Sequence, residues 1–346
     1  MEIVHQILWF LGIDIGKCSF VVCRVGLDGK AVSRTFSNDE FGIAELVRWL
    51  GAEVRSCRAV MEATSRYHRL CERALLSAGI CVDLVNPRRA RALALGLGYC
   101  DKDDKVDAQA LAQAARLLQT NDQKVPSVKA QDLRDHSRTI DTVKREAANF
   151  LKRMEGLEPG SDAYKACAKA VKALKDVAAL EEKIWTQAVQ VEPETLRRYK
   201  LAKTVPDVGH VTARVVSVEL PADLDKAARK LTAYSGLVPR RHQSGNQELP
   251  PEIQGGNPWL RTGVFMAAMH SVYQGKRFLP WYETLKARSN VCVKTKGGRH
   301  LKAIVAVMRK ILANILAVIK RNSAWTTERP VHQVRALVPA AQTNAT

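Results

Sequence analysis

The chain of 346 residues has no CxxC pair and no cysteine–histidine cluster at zinc-finger spacing. That excludes the common structural zinc modules and the thioredoxin-like redox motif. Its cysteines, Cys18, Cys23, Cys57, Cys71, Cys81, Cys100, Cys167 and Cys292, are scattered. Several fall in apolar runs, where a free thiol behaves as a small hydrophobe. Reduced structural thiols in a cytoplasmic protein are expected. No apolar run reaches the roughly 20 residues of a membrane-spanning helix. The short run at 7–13 leads into Asp14 and reads as a strand, not a signal peptide. Acids are scarce near the C-terminus, where the lysines and arginines from Lys276 to Arg321 are opposed by Glu283 alone.

The chain is 46% hydrophobic, enough for a packed core, and carries a formal net charge of +19. Such a surplus favours a polyanionic partner, nucleic acid or an anionic membrane, and the lack of an apolar span argues against the membrane.

Residues 7–15, 18–25 and 30–36 have the apolar, β-branched pattern of strands, with Leu27-Asp28-Gly29 as a tight turn between the last two. They predict an antiparallel meander. Asn38-Asp39-Glu40 opens an amphipathic helix through Leu50. A fourth strand ends at Glu62, 67–78 is helical, a fifth strand at 80–85 stops at Pro87, and Asp104 starts a helix to about Leu118. The order β-β-β-α-β-α-β-α is that of a ribonuclease H-like fold, a mixed α/β sheet with helices on both faces, over residues 1–125. From 126 to 200, aromatics thin out and apolar residues recur at three- and four-residue steps on both sides of Pro159-Gly160. This predicts a helical hairpin or coiled coil able to hold subunits together. Residues 201–328 form a third, mostly helical region. Its opening, LAKTVPDVGHVTARVVSVEL, looks like a helix-hairpin-helix turn, although Asp207 stands where such turns usually carry a glycine. Leu301 to Ile319 reads as an amphipathic helix with cations at its ends, and 329–346 as a disordered tail.

Asp14 lies near the end of the first strand, in LGIDIGK, and Glu62 ends the fourth, in AVMEATSRYH. The proposed sheet makes those strands neighbours. Asp104 and Asp107, in KDDKVDAQALA, are three residues apart and share a helix face. Grouped carboxylates are costly unless a cation sits among them, and hard divalent ions take oxygen ligands. Two such ions would suit phosphoryl transfer, with Mg²⁺ or Mn²⁺ as cofactor. Simpler roles stay open: Asp104 as a helix cap, Asp14 as a turn residue, Glu62 as a surface acid. Asp101 and Asp103 compete for the third position. In AYSGLVPRRHQSGN, Ser244 follows Arg240, Arg241 and His242; a Ser-Gly pair is usually only a turn. Asn257 is placed to cap a helix starting at Pro258, with Arg261 on it. Lys294, Lys296, Arg299 and Lys302 are the candidate phosphate contacts of the basic end.

These blocks resemble the DEDD transposases of the insertion-sequence family called IS one-ten, nearer its IS eleven-eleven branch, over nearly the whole chain. GIDIGK, MEATSRYH and KDDKVDA match the family's acidic blocks. LTAYSGLVPRRHQSGN and GGNPWLRTGVFMAAMH match its C-terminal blocks. The resemblance implies an N-terminal RuvC-like domain, a coiled coil and a C-terminal transposase domain. It implies a recombinase that acts on donor and target DNA, guided by a bridge RNA, as a homo-oligomer (dimer or tetramer) in the bacterial cytoplasm at the nucleoid. The acidic tetrad falls on Asp14, Glu62, Asp104 and Asp107. The catalytic serine, which joins covalently to a DNA phosphate, falls on Ser244. Asp103 departs from a common threonine and Asp207 from a common glycine. Three rival readings carry distinct signatures. A RuvC-like nuclease or Holliday-junction resolvase would use the tetrad with water. A sugar-kinase or actin-like enzyme would share GIDIG but needs a second glycine-rich phosphate loop and an adenosine motif, both absent. A non-enzymatic nucleic-acid binder would use only the charge.

Overall fold

Strand alternation organises the first part of the chain. In a computed structural model that describes residues 7–63, 65–101, 103–117, 127–224, 228–244, 247–288 and 296–326, the chain divides into two compact units, Met1–Lys124 and Val125–Thr346.

The first unit holds strands β1 (Trp9–Ile15), β2 (Ser19–Gly26) and β3 (Ala31–Ser37), helix α1 (Glu40–Leu50), strand β4 (Cys57–Glu62), helix α2 (His68–Ser77), strand β5 (Cys81–Val85), and helices α3 (Pro87–Gly96) and α4 (Asp104–Leu117). The sheet order is β3-β2-β1-β4-β5, antiparallel across β3-β2-β1 and parallel across β1-β4-β5. The meander and the pairing of the first strand with the fourth are as expected, and this mixed sheet fits a ribonuclease H-like domain. Leu11, Ile13 and Ile15 point to one face and pack with Ile43, Leu46 and Leu75 of α1 and α2. Val60, Val85 and Phe10 point to the other, against Leu111 and Ala115 of α4 and Ala90 of α3. Asp39 caps α1 by accepting a hydrogen bond from the Gly42 amide at 2.8 Å.

One element departs from the sequence reading. The fifth strand ends before Pro87 as expected, but a helix that the sequence reading did not name follows at once: Pro87 occupies the first turn of α3, and the Asn86 side chain caps it by accepting from the Arg88 amide at 2.9 Å. Proline fits there because the first helical amides have no intrahelical partner.

The second unit opens with α5 (Val128–Met154) and α6 (Asp162–Ala188), a helical hairpin broken at Pro159-Gly160 as expected. Its root is fixed by buried charge. Arg214 is fully buried and bonds Ser137 and Asp141, and Arg138 forms a two-pronged pair with Glu219 at 2.6 and 2.8 Å. Then follow α7 (Pro193–Thr204), α8 (His210–Glu219), α9 (Ala228–Tyr234), the antiparallel strands β6 (Pro239–Ser244) and β7 (Gln247–Ile253), α10 (Pro258–Tyr273), α11 (Leu279–Arg288) and α12 (Lys296–Arg321). Val216, Leu260, Val264, Ile304, Ile311 and Ile315 lie in one core built largely from α8, α10 and α12. Asp207, in the turn between α7 and α8, has φ 66°, the left-handed conformation a glycine would take without strain. Its carboxylate accepts from Ser271 Oγ at 2.7 Å and lies 3.2 Å from Arg277 Nε, and these contacts hold the residue there. Two helices joined by a short turn thus stand where the helix-hairpin-helix turn was expected. The seven cysteines among the described residues are free thiols, and no described helix is long and apolar enough to cross a membrane.

Candidate functional site

Register and pleat place the first two acids. Ile13 of β1 pairs with Met61 of β4, so Asp14 and Glu62 follow side by side on neighbouring parallel strands. Both residues fall on the face opposite buried Ile13 and Met61, which is the face that α4 covers. The third strand-face position is Gly12. A Cβ built there would lie 1.9 Å from the Ala108 carbonyl oxygen and 2.2 Å from the Ala112 amide nitrogen. Only glycine lets the α4 backbone lie this close to β1. That approach carries Asp104 and Asp107, in the first turn of α4, to the end of β1.

Asp14, Glu62, Asp104 and Asp107 line one cavity of 360 Å³ together with Pro87, Ala90, Arg91, Ala94 and Leu111. Partial burial, reinforced by the charges of Asp104, Glu62 and Asp107, pushes the Asp14 carboxyl up to about 6. Asp103 and Asp104 occupy different positions at the head of α4. Asp103 caps α4: its Oδ1 accepts from the Lys105 amide at 2.8 Å and its carbonyl from the Asp107 amide at 2.8 Å. Asp104 is left to the cavity, whereas Asp101 and Asp103 are not among its lining residues.

Sequence reasoning missed Arg91, the cation of that lining. It donates to the carbonyls of Cys100 at 3.0 Å and Asp101 at 3.3 Å, and its Nη1 lies 3.9 Å from Asp107 Oδ1. It thereby ties α3 to the segment leading into α4. The Asn-Pro pair at 86–87 was the signal for the helix that carries it, because Asn is a preferred cap and Pro a preferred first residue.

Four carboxylates with no histidine or cysteine form a hard oxygen donor set, the chemistry that Mg²⁺ or Mn²⁺ takes. The Asp14 carboxyl is raised first by burial and then by the neighbouring acids Asp104, Glu62 and Asp107, and a bound dication would offset that charge. Among the described residues no three acidic, histidine or cysteine side chains already converge as a closed ligand cage. The acids therefore surround a space instead of forming a preformed shell, and the donor set fits a divalent ion by chemistry.

In the second unit, Ser244 is the last residue of β6 and pairs with Gln247, the first of β7. Arg240 and Arg241 precede it on the same strand. The side chains of Arg240, Arg241, Ser244, Lys296 and Arg299 lie outside the described residues, as does the whole of Lys294. Asn257 caps α10, with its Oδ1 accepting from the amides of Trp259 and Leu260 at 3.0 and 3.1 Å and Pro258 in the first turn, as expected. Its Nδ2 also donates to Glu219 at 2.7 Å. Arg261 donates to the Gly255 carbonyl at 2.7 Å and shares a cavity with Lys302.

Comparison with known proteins gives two family matches. A DEDD IS110-type model described as "Transposase" matches residues 11–157, and one described as "Transposase IS116/IS110/IS902 family" matches residues 199–283. The first takes in all four acids and the second Ser244. The "Pilin gene-inverting protein" of Moraxella bovis is 28% identical over 337 residues, covering 94% of this chain and 99% of the relative. Its counterpart from Moraxella lacunata matches over the same shares. The "Transposase for insertion sequence element IS1111A" of Coxiella burnetii is 28% identical over 286 residues, 73% of this chain and 74% of the relative. With both family models matching in chain order around the acids and the serine, the chain belongs to the IS110 family of DEDD transposases.

Proposed function

We propose that the chain is a site-specific DNA recombinase that moves an insertion sequence by cutting and rejoining strands through a serine–DNA intermediate. The observation that carries this reading is the acidic cavity, in which four carboxylates from two strands and one helix face a common space. Relatives named for transposition and for pilin gene inversion support DNA rearrangement as the outcome.

Asp14, Glu62, Asp104 and Asp107 would hold a divalent cation, Mg²⁺ or Mn²⁺, whose chemistry is Lewis-acid polarisation of a phosphate. Asp14 and Glu62 sit on rigid strands and fix one side of the site. Arg91, by holding the segment before α4, keeps Asp104 and Asp107 on the other. Ser244 Oγ attacks the scissile phosphorus, so that an Oγ–P bond forms as one P–O bond to deoxyribose breaks. The serine proton is matched by the one taken up at the departing sugar oxygen. One phosphoester replaces another, so the bond energy is conserved for rejoining strands. Arg240 and Arg241 precede Ser244 on its strand and would neutralise the phosphate. The tetrad and Ser244 belong to different units, and the reading requires them to meet at one phosphodiester, within a chain or between subunits.

The net charge of +19 supports both DNA and a guiding bridge RNA as partners, with Arg261, Lys294, Lys296, Arg299 and Lys302 among the contacts. The hairpin supports a homo-oligomer. Along α6, Cys167, Val171, Leu174, Ala178 and Trp185 form an a/d seam with buried or half-buried residues. A second seam one position earlier, Ala166, Ala170, Ala173, Val177, Leu180 and Ile184, leaves Val177 44% and Leu180 58% exposed. A second copy would cover it. A bacterial cytoplasmic location at the nucleoid follows from that substrate.

The test is a covalent adduct on DNA carrying the element's ends. Wild type should form one in Mg²⁺, and Ser244→Ala none while still binding DNA. If Ser244→Ala still cuts, and Asp14→Asn does not, the enzyme is a nuclease that uses water. A structured RNA encoded beside the gene should co-purify and be lost on ribonuclease treatment; its absence removes the guided reading and leaves the recombinase.

A further inference from the structure

A cavity of 680 Å³ opens where the β6–β7 hairpin meets α12, lined by Pro239, Glu252, Ile253, Arg261, Leu301, Lys302, Val305, Ala306 and Arg309. Its make-up is two-layered. On α12, Lys302, Val305, Ala306 and Arg309 fall at i, i+3, i+4 and i+7, one helix face, with cations at its ends and aliphatic residues between. Pro239 and Ile253, paired across the two strands, supply an aliphatic wall. Leu301 stands 55% exposed at the edge. Arg261 approaches from α10, held by its hydrogen bond to the Gly255 carbonyl. Three cations against the single acid Glu252 suit an anion, while the apolar floor suits a flat, weakly solvated group.

We propose that this cavity takes one unstacked deoxynucleotide of the DNA strand, its base on the aliphatic floor and its phosphates at Arg261, Lys302 and Arg309. The size is right for a nucleotide-class ligand, since such pockets run from about 300 to 1,000 Å³. The position is right too. Pro239 begins the strand that ends at Ser244, roughly 17 Å away at the usual rise per residue. The proposal rests on Ser244 being the residue that meets DNA, and it adds a base-holding subsite a few nucleotides from that point. Such a subsite would keep the cut strand from re-pairing before exchange. It also gives a role to Leu301, an exposed leucine in the most basic part of the chain.

The test compares the full chain's affinity, by fluorescence anisotropy, for a short labelled thymidine strand and for the same sugar–phosphate strand lacking bases. Wild type should prefer the base-bearing strand by about tenfold, as burial of one base face against aliphatic side chains would give. Ala306→Trp fills the cavity and should abolish that preference while leaving binding of the base-free strand unchanged. Leu301→Ser, at an exposed position that the fold tolerates, should reduce the preference, and Arg309→Gln should weaken both strands. Equal affinity of wild type for the two strands overturns the proposal. So does a preference that survives Ala306→Trp in a protein whose circular dichroism matches wild type, or one shown only by a uridine RNA strand. None of these results depends on adduct formation, so failure of the subsite and failure of the Ser244 assignment are read separately.

Discussion

Asp14 governs the electrostatics of the acidic cavity. Its carboxyl stands at about 6 in the folded chain against 3.8 for a free aspartate, because burial and three neighbouring acids disfavour the charge. The folded state therefore binds more protons than the unfolded one between those values, and stability falls as pH rises through that window. Asp14→Asn removes the cost. In metal-free buffer near neutral pH it should raise Tm by about 2–4 °C, a modest figure because Asp14 remains partly solvated. The gain should vanish as pH falls below 3.8. Mg²⁺ should stabilise wild type and not the variant, as read by differential scanning fluorimetry. A second contrast separates adjacent residues. Asp103→Asn should keep activity, since asparagine caps helices well, whereas Asp104→Asn should lose strand cleavage. The tetrad was legible in the sequence because strand ends and a three-residue helical spacing mark it. Helical spacing to Asp107 favoured Asp104 over Asp103 in the sequence, and the cap hydrogen bonds give Asp103 a structural task of its own. Ser244 was different: nothing in a Gln-Ser-Gly stretch distinguishes a nucleophile from a turn, and only the resemblance singled it out.

At the scale of elements, the site depends on how closely α4 approaches β1. Gly12→Val would drive a side chain into the Ala108 carbonyl and the Ala112 amide, which are backbone atoms that cannot rotate away. The expected cost is about 3 kcal/mol in urea denaturation, with loss of divalent-ion binding as α4 is displaced. The capped α1 and the long hairpin were readable from periodicity, because each has one face buried and one in water; the meander, whose inner strands β1 and β2 are covered on both faces, was readable from its apolar, β-branched runs and the turn between them. Helix α3 was not. Its Pro87 looks like a strand stop until Asn86 is seen as its cap, and missing it hid Arg91 as well. Asp207 shows the converse case: it stands where such turns usually carry a glycine, yet Ser271 and Arg277, some 60 to 70 residues further on, hold an aspartate in the glycine conformation. No local sequence window contains that compensation.

At the scale of the whole molecule, the proposed assembly on nucleic acid should be visible at the second seam of α6. Leu180→Glu puts charge into that seam at an exposed position, so folding should survive while the oligomer weakens. Light scattering with size-exclusion chromatography should show a shift toward monomer, and an unchanged mass would remove the seam as the interface. Whether the tetrad and Ser244 act together can be decided by locating the DNA on the protein. After reaction of wild type with DNA carrying the element's ends, denaturation, nuclease digestion and peptide mass spectrometry should find a nucleotide attached at Ser244, with no such peptide from Asp14→Asn. A nucleotide on another residue, or complete strand cleavage with no nucleotide on any peptide, would contradict the account.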